Sequence, residues 1–215
     1  HLQNKMKNDE GYFLLVEASQ IDWAAHDNDV AVAMSEMAEL ENTMEYLAEY
    51  ALKNKETLVI LTADHNTGGL TIGANKEYLW HPELLHNIKA SPAFIAKHLT
   101  FEKITNKYLT EQLGFSLSND ELSTLIELKQ TTSMQFENQE QILSNKKVIN
   151  QLITDKLTKQ LRDIINKRTN TGWTTIGHTG SDVPLYAFGV SSDLFHGYQD
   201  NTDIAKKIFT LLGKK

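Results

Sequence analysis

At 215 residues the chain is long enough to bury a sizeable core in one domain, or in one domain with a substantial insertion. Apolar residues make up 40% and charged residues 23%, and the net charge of −7 with no Lys/Arg run argues against nucleic acid or an anionic membrane as a partner. With no cysteine, disulfides and thiolate metal sites are excluded, so any zinc must be held by His and carboxylate; no apolar run approaches the roughly 18 residues of a membrane span.

The start, His1-Leu2-Gln3-Asn4-Lys5, has neither a signal peptide nor a methionine, and reads as a cut inside a longer protein. After Asn8-Asp9-Glu10-Gly11, the apolar run Tyr12-Phe13-Leu14-Leu15-Val16-Glu17 predicts a buried strand. A polar segment from Ser19 to Asp29 follows. From Val30 to Leu52 the residues Val32, Met37, Leu40, Met44 and Leu47 recur at three- to five-residue spacing, which predicts a long amphipathic helix with an acidic outer face. Thr57-Leu58-Val59-Ile60-Leu61-Thr62 predicts a second buried strand that ends at Ala63-Asp64-His65. Strand, long helix and strand make a βαβ unit, so the expected core is α/β with a parallel sheet and covering helices.

After Gly73 the character changes. From Lys76 to about Arg168 the chain is polar and helix-like. His81-Pro82-Glu83, Ser91-Pro92 and Ser118-Asn119-Asp120-Glu121 have the look of helix starts, the last with the Ser-x-x-Glu spacing of a capping box. Thr174-Thr175-Ile176-Gly177-His178-Thr179-Gly180 then leads into a strand over Val183–Gly189, and Thr202–Leu212 predicts a final helix against the sheet. The expected organisation is a first part of the α/β core at 1–75, a helical insertion at 76–170, and the last part of the core at 171–215.

Three clusters could carry chemistry, and all fall at the carboxyl ends of predicted strands, where open α/β sheets bind ligands. Glu17 closes the first strand, and Asp22 and His26, four apart, would share one side of a helical turn and could ligate one divalent cation. The same pair would equally suit a solvated helix surface. Asp64-His65 ends the second strand, with Gly68-Gly69 permitting a tight turn; the alternative is that Asp64 caps the loop and His65 is surface. His178 lies in a loop with glycines on both sides, which alone specifies nothing. His1, His81, His86, His98 and His196 have no comparable setting and are taken as surface or core. Zinc accepts His and Asp ligands, magnesium favours a carboxylate such as Glu17, and two nearby metals suit phosphoryl transfer.

Val16-Glu17-Ala18-Ser19-Gln20-Ile21-Asp22-Trp23-Ala24-Ala25-His26, Thr62-Ala63-Asp64-His65 and Gly177-His178-Thr179-Gly180 resemble the alkaline phosphatases in order, spacing and context. Asp-His after a strand is shared more widely, with sulfatases and cofactor-independent phosphoglycerate mutases; the first and third stretches together are more specific. The resemblance implies a partial alkaline-phosphatase-like parallel sheet sandwiched by helices. It implies that Asp22, His26 and His178 are the protein ligands of a first zinc, Asp64 and His65 two ligands of a second, and Glu17 a ligand of magnesium. The substrate class it implies is a phosphate monoester, in a homodimeric protein exported to the periplasm or cell surface. The family's serine nucleophile, in an Asp-Ser-Ala context, has no counterpart here, since Ser181 and Ser192 precede aspartates late in the chain. Also without counterpart are the aspartate bridging zinc and magnesium, the magnesium-site threonine and the phosphate-gripping arginine. The expectation is therefore a C-terminal piece, inactive alone, whose half sheet favours self-association. A non-enzymatic metal- or ligand-binding module, or a piece of a phosphodiesterase or sulfatase, is the alternative.

Overall fold

The computed structural model describes residues 11–137 and 146–213. The readings of His1–Lys5, of the polar stretch 8–10 and of 138–145 within the helical segment lie outside the described residues. In chain order the elements are α1 (Ser19–His26), α2 (Val30–Lys53), β1 (Leu58–Thr62), β2 (Asn66–Thr67), β3 (Thr71–Ile72), a 3-10 turn (Pro82–Asn87), α3 (Pro92–Phe101), α4 (Asn106–Leu113), α5 (Asn119–Glu137), α6 (Lys146–Thr169), β4 (Thr171–Gly172), β5 (His178–Thr179), β6 (Leu185–Gly189), a second 3-10 turn (Ser192–Phe195) and α7 (Asn201–Leu211). Among the described residues they fall into two compact units, one of 11–19, 38–66 and 180–213, the other of 20–37, 67–137 and 146–179.

The first unit is built on β1 and β6. The α/β class holds, but the direction of this pair differs from the parallel sheet expected: β1 and β6 are antiparallel, with Leu58 opposite Gly189 and Thr62 opposite Leu185. The reason is where the chain returns. The chain leaves β1 at Thr62 and re-enters the pair at that same end, where the Thr62 hydroxyl donates to Pro184 O at 3.1 Å. At the other end Val190 N donates to Thr57 O at 3.1 Å. Gly189 has φ 97°, and a Cβ there would lie 2.1 Å from Thr57 O, so this turn of the backbone needs glycine. Asp200 caps α7, accepting from the Thr202 amide at 2.9 Å and the Thr202 hydroxyl at 2.7 Å.

The predicted buried strand at Tyr12–Glu17 is corrected. These residues carry no strand pairing among the described residues, and Phe13, Leu14, Leu15 and Val16 stand 56–77% exposed. A continuous apolar run suits a strand with neighbours on both sides. The run itself supplies only the preference, and no such neighbours are present among the described residues.

The second unit holds the main apolar core. Ile95 and Leu99 of α3, Leu109 and Leu113 of α4, Leu125 of α5, and Leu157, Leu161 and Ile165 of α6 are all buried, with Val30 at the start of α2. α6 packs against both α3 and α5. The ends are closed by side chains: Ser91 accepts from Phe94 N at 3.2 Å and Thr105 from Tyr108 N at 3.3 Å. The capping box forms reciprocally, Ser118 N donating to Glu121 Oε2 at 2.8 Å and Glu121 N to Ser118 Oγ at 3.2 Å. Glu121 then takes a fork from α6, Arg168 Nε to Oε1 at 3.0 Å and Nη2 to Oε2 at 2.6 Å. These charge-assisted bonds, with the Ser118 amide, hold the Glu121 carboxyl below its usual range. Lys129 closes the end of α3 by donating to Leu99 O and Glu102 O at 2.6 and 2.9 Å.

Candidate metal centre

α1 is two turns long, and its four-residue spacing does what a helix requires. Ala24 and Ala25 turn inward at 4% and 9% exposure, while Asp22 and His26 share another face, His26 Nε2 lying 3.4 Å from Asp22 Oδ2. The helix stops at Asn28, whose φ of 53° is left-handed, and Asp29 starts the next one as N-cap, accepting from Val32 N at 3.0 Å. Asp29 is almost fully buried, and loss of hydration pushes its carboxyl above the usual range, against the amide bonds and the charge of Arg162 that pull it down.

His178 reaches the same place from the far end of the unit. Its Nε2 lies 3.3 Å from His26 Nε2, with ring centroids 5.1 Å apart. Among the described residues, Asp22, His26 and His178 form a group whose ligand atoms all lie within 4.8 Å of one another. His26 Nδ1 is 2.5 Å from the carbonyl of Ile176, which can only accept, so Nδ1 donates there and Nε2 is the nitrogen that faces Asp22 and His178. Zinc in tetrahedral coordination, with bonds of about 2.0–2.1 Å, separates its ligand atoms by about 3.3–3.4 Å. The His26–His178 and His26–Asp22 separations match that spacing, and one carboxylate with two imidazoles is a donor set zinc accepts without thiolate.

Two features that the sequence did not reveal hold this candidate group in place. Thr67, 9% exposed, donates its hydroxyl to Asp22 Oδ1 at 2.5 Å, which leaves Oδ2 turned towards His26. Its only signal in the sequence is its position between Asp64-His65 and Gly68-Gly69. Gly68 laces the loop before His178: its N donates to Gly177 O at 2.9 Å, and its carbonyl accepts from Thr174 N and Thr175 N at 3.1 and 3.2 Å. With φ 79°, and with a Cβ that would come 2.6 Å from the Trp173 ring and 2.8 Å from Ala25 O, this position has room only for glycine.

The remaining predicted site residues fall outside that group. His65 Nε2 lies 3.3 Å from Asp64 Oδ2 just beyond β1, and Glu17 is exposed in the extended segment before α1. Of the histidines set aside, His81 pairs with Glu83 at 3.0 Å, His98 stacks on Tyr108 at 4.2 Å between ring centroids, and His86 and His196 are exposed. Among the described residues no helix is long and apolar enough to cross a membrane.

The sequence profile of the alkaline phosphatases matches residues 2–214. The chain belongs to the alkaline phosphatase family. It is 42% identical over 208 residues to alkaline phosphatase 3 of Bacillus subtilis (strain 168), covering 96% of this chain and 41% of that protein. It is 39% identical over 206 residues to alkaline phosphatase 4 of the same organism, covering 96% of this chain and 40% of the relative. Among solved structures it is similar to a cold-active alkaline phosphatase from a psychrophilic Shewanella, with 42% identity and a TM-score of 0.82 over 95% of this chain and 46% of the other. The chain thus spans about two fifths of the length of the curated alkaline phosphatases it matches.

Proposed function

We propose that this alkaline phosphatase chain supplies the zinc-ligand part of a phosphomonoesterase. The observation that carries the reading is the convergence of Asp22, His26 and His178, whose ligand atoms lie within 4.8 Å of one another, with His26 at 3.4 Å from Asp22 and 3.3 Å from His178. Asp22, His26 and His178 would hold one zinc ion, Asp64 and His65 would contribute to a second, and Glu17 would contribute to a magnesium site. Bound divalent cations there would supply Lewis acidity for the transfer of a phosphoryl group from a phosphate monoester to water. The chain's own residues prepare for this: the Ile176 carbonyl, bonded to Nδ1, orients the His26 ring with Nε2 towards the site, and Thr67 holds one oxygen of Asp22 so that the other faces it. Residues 1–75 and 171–215 would form the metal-binding core, and 76–170 a helical insertion. The parent protein would be an exported homodimer.

Without a serine in the expected context, this chain alone has no covalent route and would be inactive on its own. The test is calorimetric titration of the chain with zinc, beside His178→Ala, together with phosphomonoester hydrolysis. Binding of about one equivalent, weakened at least tenfold in H178A, is expected. Turnover is expected only when an N-terminal portion carrying a serine nucleophile is added. Zinc binding that H178A leaves unchanged would overturn the ligand set, and turnover by the chain alone would overturn the division of labour.

A further inference from the structure

Asp22 and His26 lie on α1, while His178 follows a loop about 150 residues later, and a zinc site needs these two segments held at fixed spacing. One side chain on α6 bonds to both segments. Asn166 Nδ2 donates to Asn28 O at 2.9 Å, just past the end of α1, and Asn166 Oδ1 accepts from Trp173 Nε1 at 3.1 Å, at the start of the loop that leads to His178. We infer that Asn166 is a positioning residue, a clamp through which the helical core sets the separation of the two ligand-bearing segments.

The chemistry requires an amide at this position. The Asn28 carbonyl can only accept and the indole N–H can only donate, so the residue between them must offer one donor and one acceptor in fixed orientation. Neighbouring contacts act in the same sense. One turn earlier on α6, Arg162 Nη1 donates to Asp27 O at 2.6 Å and pairs with Asp27 Oδ1 at 2.9 Å, again at the end of α1. The Asn28 side chain, turned so that its nitrogen faces two carbonyls, donates to Ala25 O and Thr175 O at 3.0 Å each and so joins α1 to the loop directly. Behind Asn166, Ile164 and Ile165 are 3% and 1% exposed, so the clamp stands on a fixed element.

The inference rests on the zinc-site reading for its purpose, but its mechanical part can be tested without metal. The full chain, Asn166→Asp and Trp173→Phe are compared zinc-free by amide hydrogen exchange, then titrated with zinc. N166D keeps the acceptor and removes the donor; W173F removes the other bond without adding charge. Exchange at Thr174 and Thr175, whose amides bond Gly68 O, should speed up about tenfold in N166D and in the same direction in W173F, with the α3–α6 core unchanged. The zinc Kd should rise about tenfold in N166D, as for outer-shell partners of metal ligands. Unchanged exchange at Thr174 and Thr175 overturns the clamp, as does an equal acceleration through the α3–α6 core, which would make Asn166 a support of the fold alone. Equal zinc affinity in wild type and N166D overturns the clamp and leaves the zinc site standing. Faster loop exchange in the two variants, together with a wild type that binds no zinc, keeps the clamp and overturns the zinc site.

Discussion

The helical unit and the sheet unit treat their apolar residues differently. In the helical unit Leu99, Leu109, Leu113, Leu125, Leu157 and Leu161 are all at 0% exposure, while in the sheet unit Phe13, Leu14, Leu15 and Val16 stand more than half exposed. The apolar runs are comparable in character, so the difference lies in what each architecture needs. Helices α3 to α6 are neighbours in sequence, satisfy their own backbones and bury one stripe each against the next. A strand satisfies nothing alone. It needs partners in register, and β1 finds one in β6 only after the chain has passed through the whole helical segment. The group of Asp22, His26 and His178 lies in the helical unit, and α6 bonds to Asp27, Asn28 and Trp173 beside it.

The sharpest way to break this comparison is to cut one leucine from each region. Leu157→Ala should lower the unfolding free energy of the helical unit by about 3 kcal/mol, the cost of lost burial plus a cavity that rigid neighbours only partly fill. Leu15→Ala, at a residue 77% exposed, should change stability by less than about 0.5 kcal/mol. Denaturant titration followed by circular dichroism measures both. Equal losses would mean that the run at 12–16 is covered in solution, and the contrast between the two units would fall.

How much of this was written in the sequence follows the same division. Local rules were legible: the Val30–Lys53 helix from its apolar spacing, the Ser118–Glu121 capping box from Ser-x-x-Glu, and β1 as a strand from its apolar run, although it is half-buried rather than buried. So was the sharing of one helical face by Asp22 and His26. Non-local facts were not. The apolar run at 12–17 states a preference for burial but not whether neighbours exist, and the direction of β6 depends on where the chain returns. His178 came to the site through the family resemblance rather than its own context. Thr67 and Asn166 are an ordinary Thr and Asn in sequence, because their roles exist only once segments far apart in sequence meet.

A smaller effect tests how the helical unit is tied together. Glu121→Gln removes the charge from the Arg168 fork that joins the start of α5 to the end of α6. It should cost about 1–2 kcal/mol at neutral pH. The pH dependence has a definite sign. Arg168 first, then Ser118, lower the Glu121 pKa in the folded state, so this contribution is fully present above the unfolded value of about 4.3 and is lost as pH falls through the lowered folded value. Wild type and E121Q should therefore converge in stability as pH falls through that lowered value. Persistence of the gap in acid would mean that shape, not charge, is what the fork contributes.

Asp29 has the smallest effect and the opposite sign, and it reports how dry the start of α2 is. At 6% exposure its carboxyl is pushed up chiefly by lost hydration. An acid with a raised folded-state pKa binds its proton more tightly when folded, so its contribution is most favourable below the ordinary Asp value of about 3.9 and declines as pH rises through the raised one. Asp29→Asn keeps an oxygen to accept from Val32 N, and Arg162 keeps its pairing with Asp27. The variant should thus gain on wild type as pH rises through that window, read from thermal midpoints at pH 4 and pH 7. If wild type gains on the variant instead, the charge of Arg162 outweighs burial at Asp29. The start of α2 would then be held by an ion pair rather than by a dry cap, and the helical unit would rest on electrostatics at the turn that joins α1, with Asp22 and His26, to the rest of the chain.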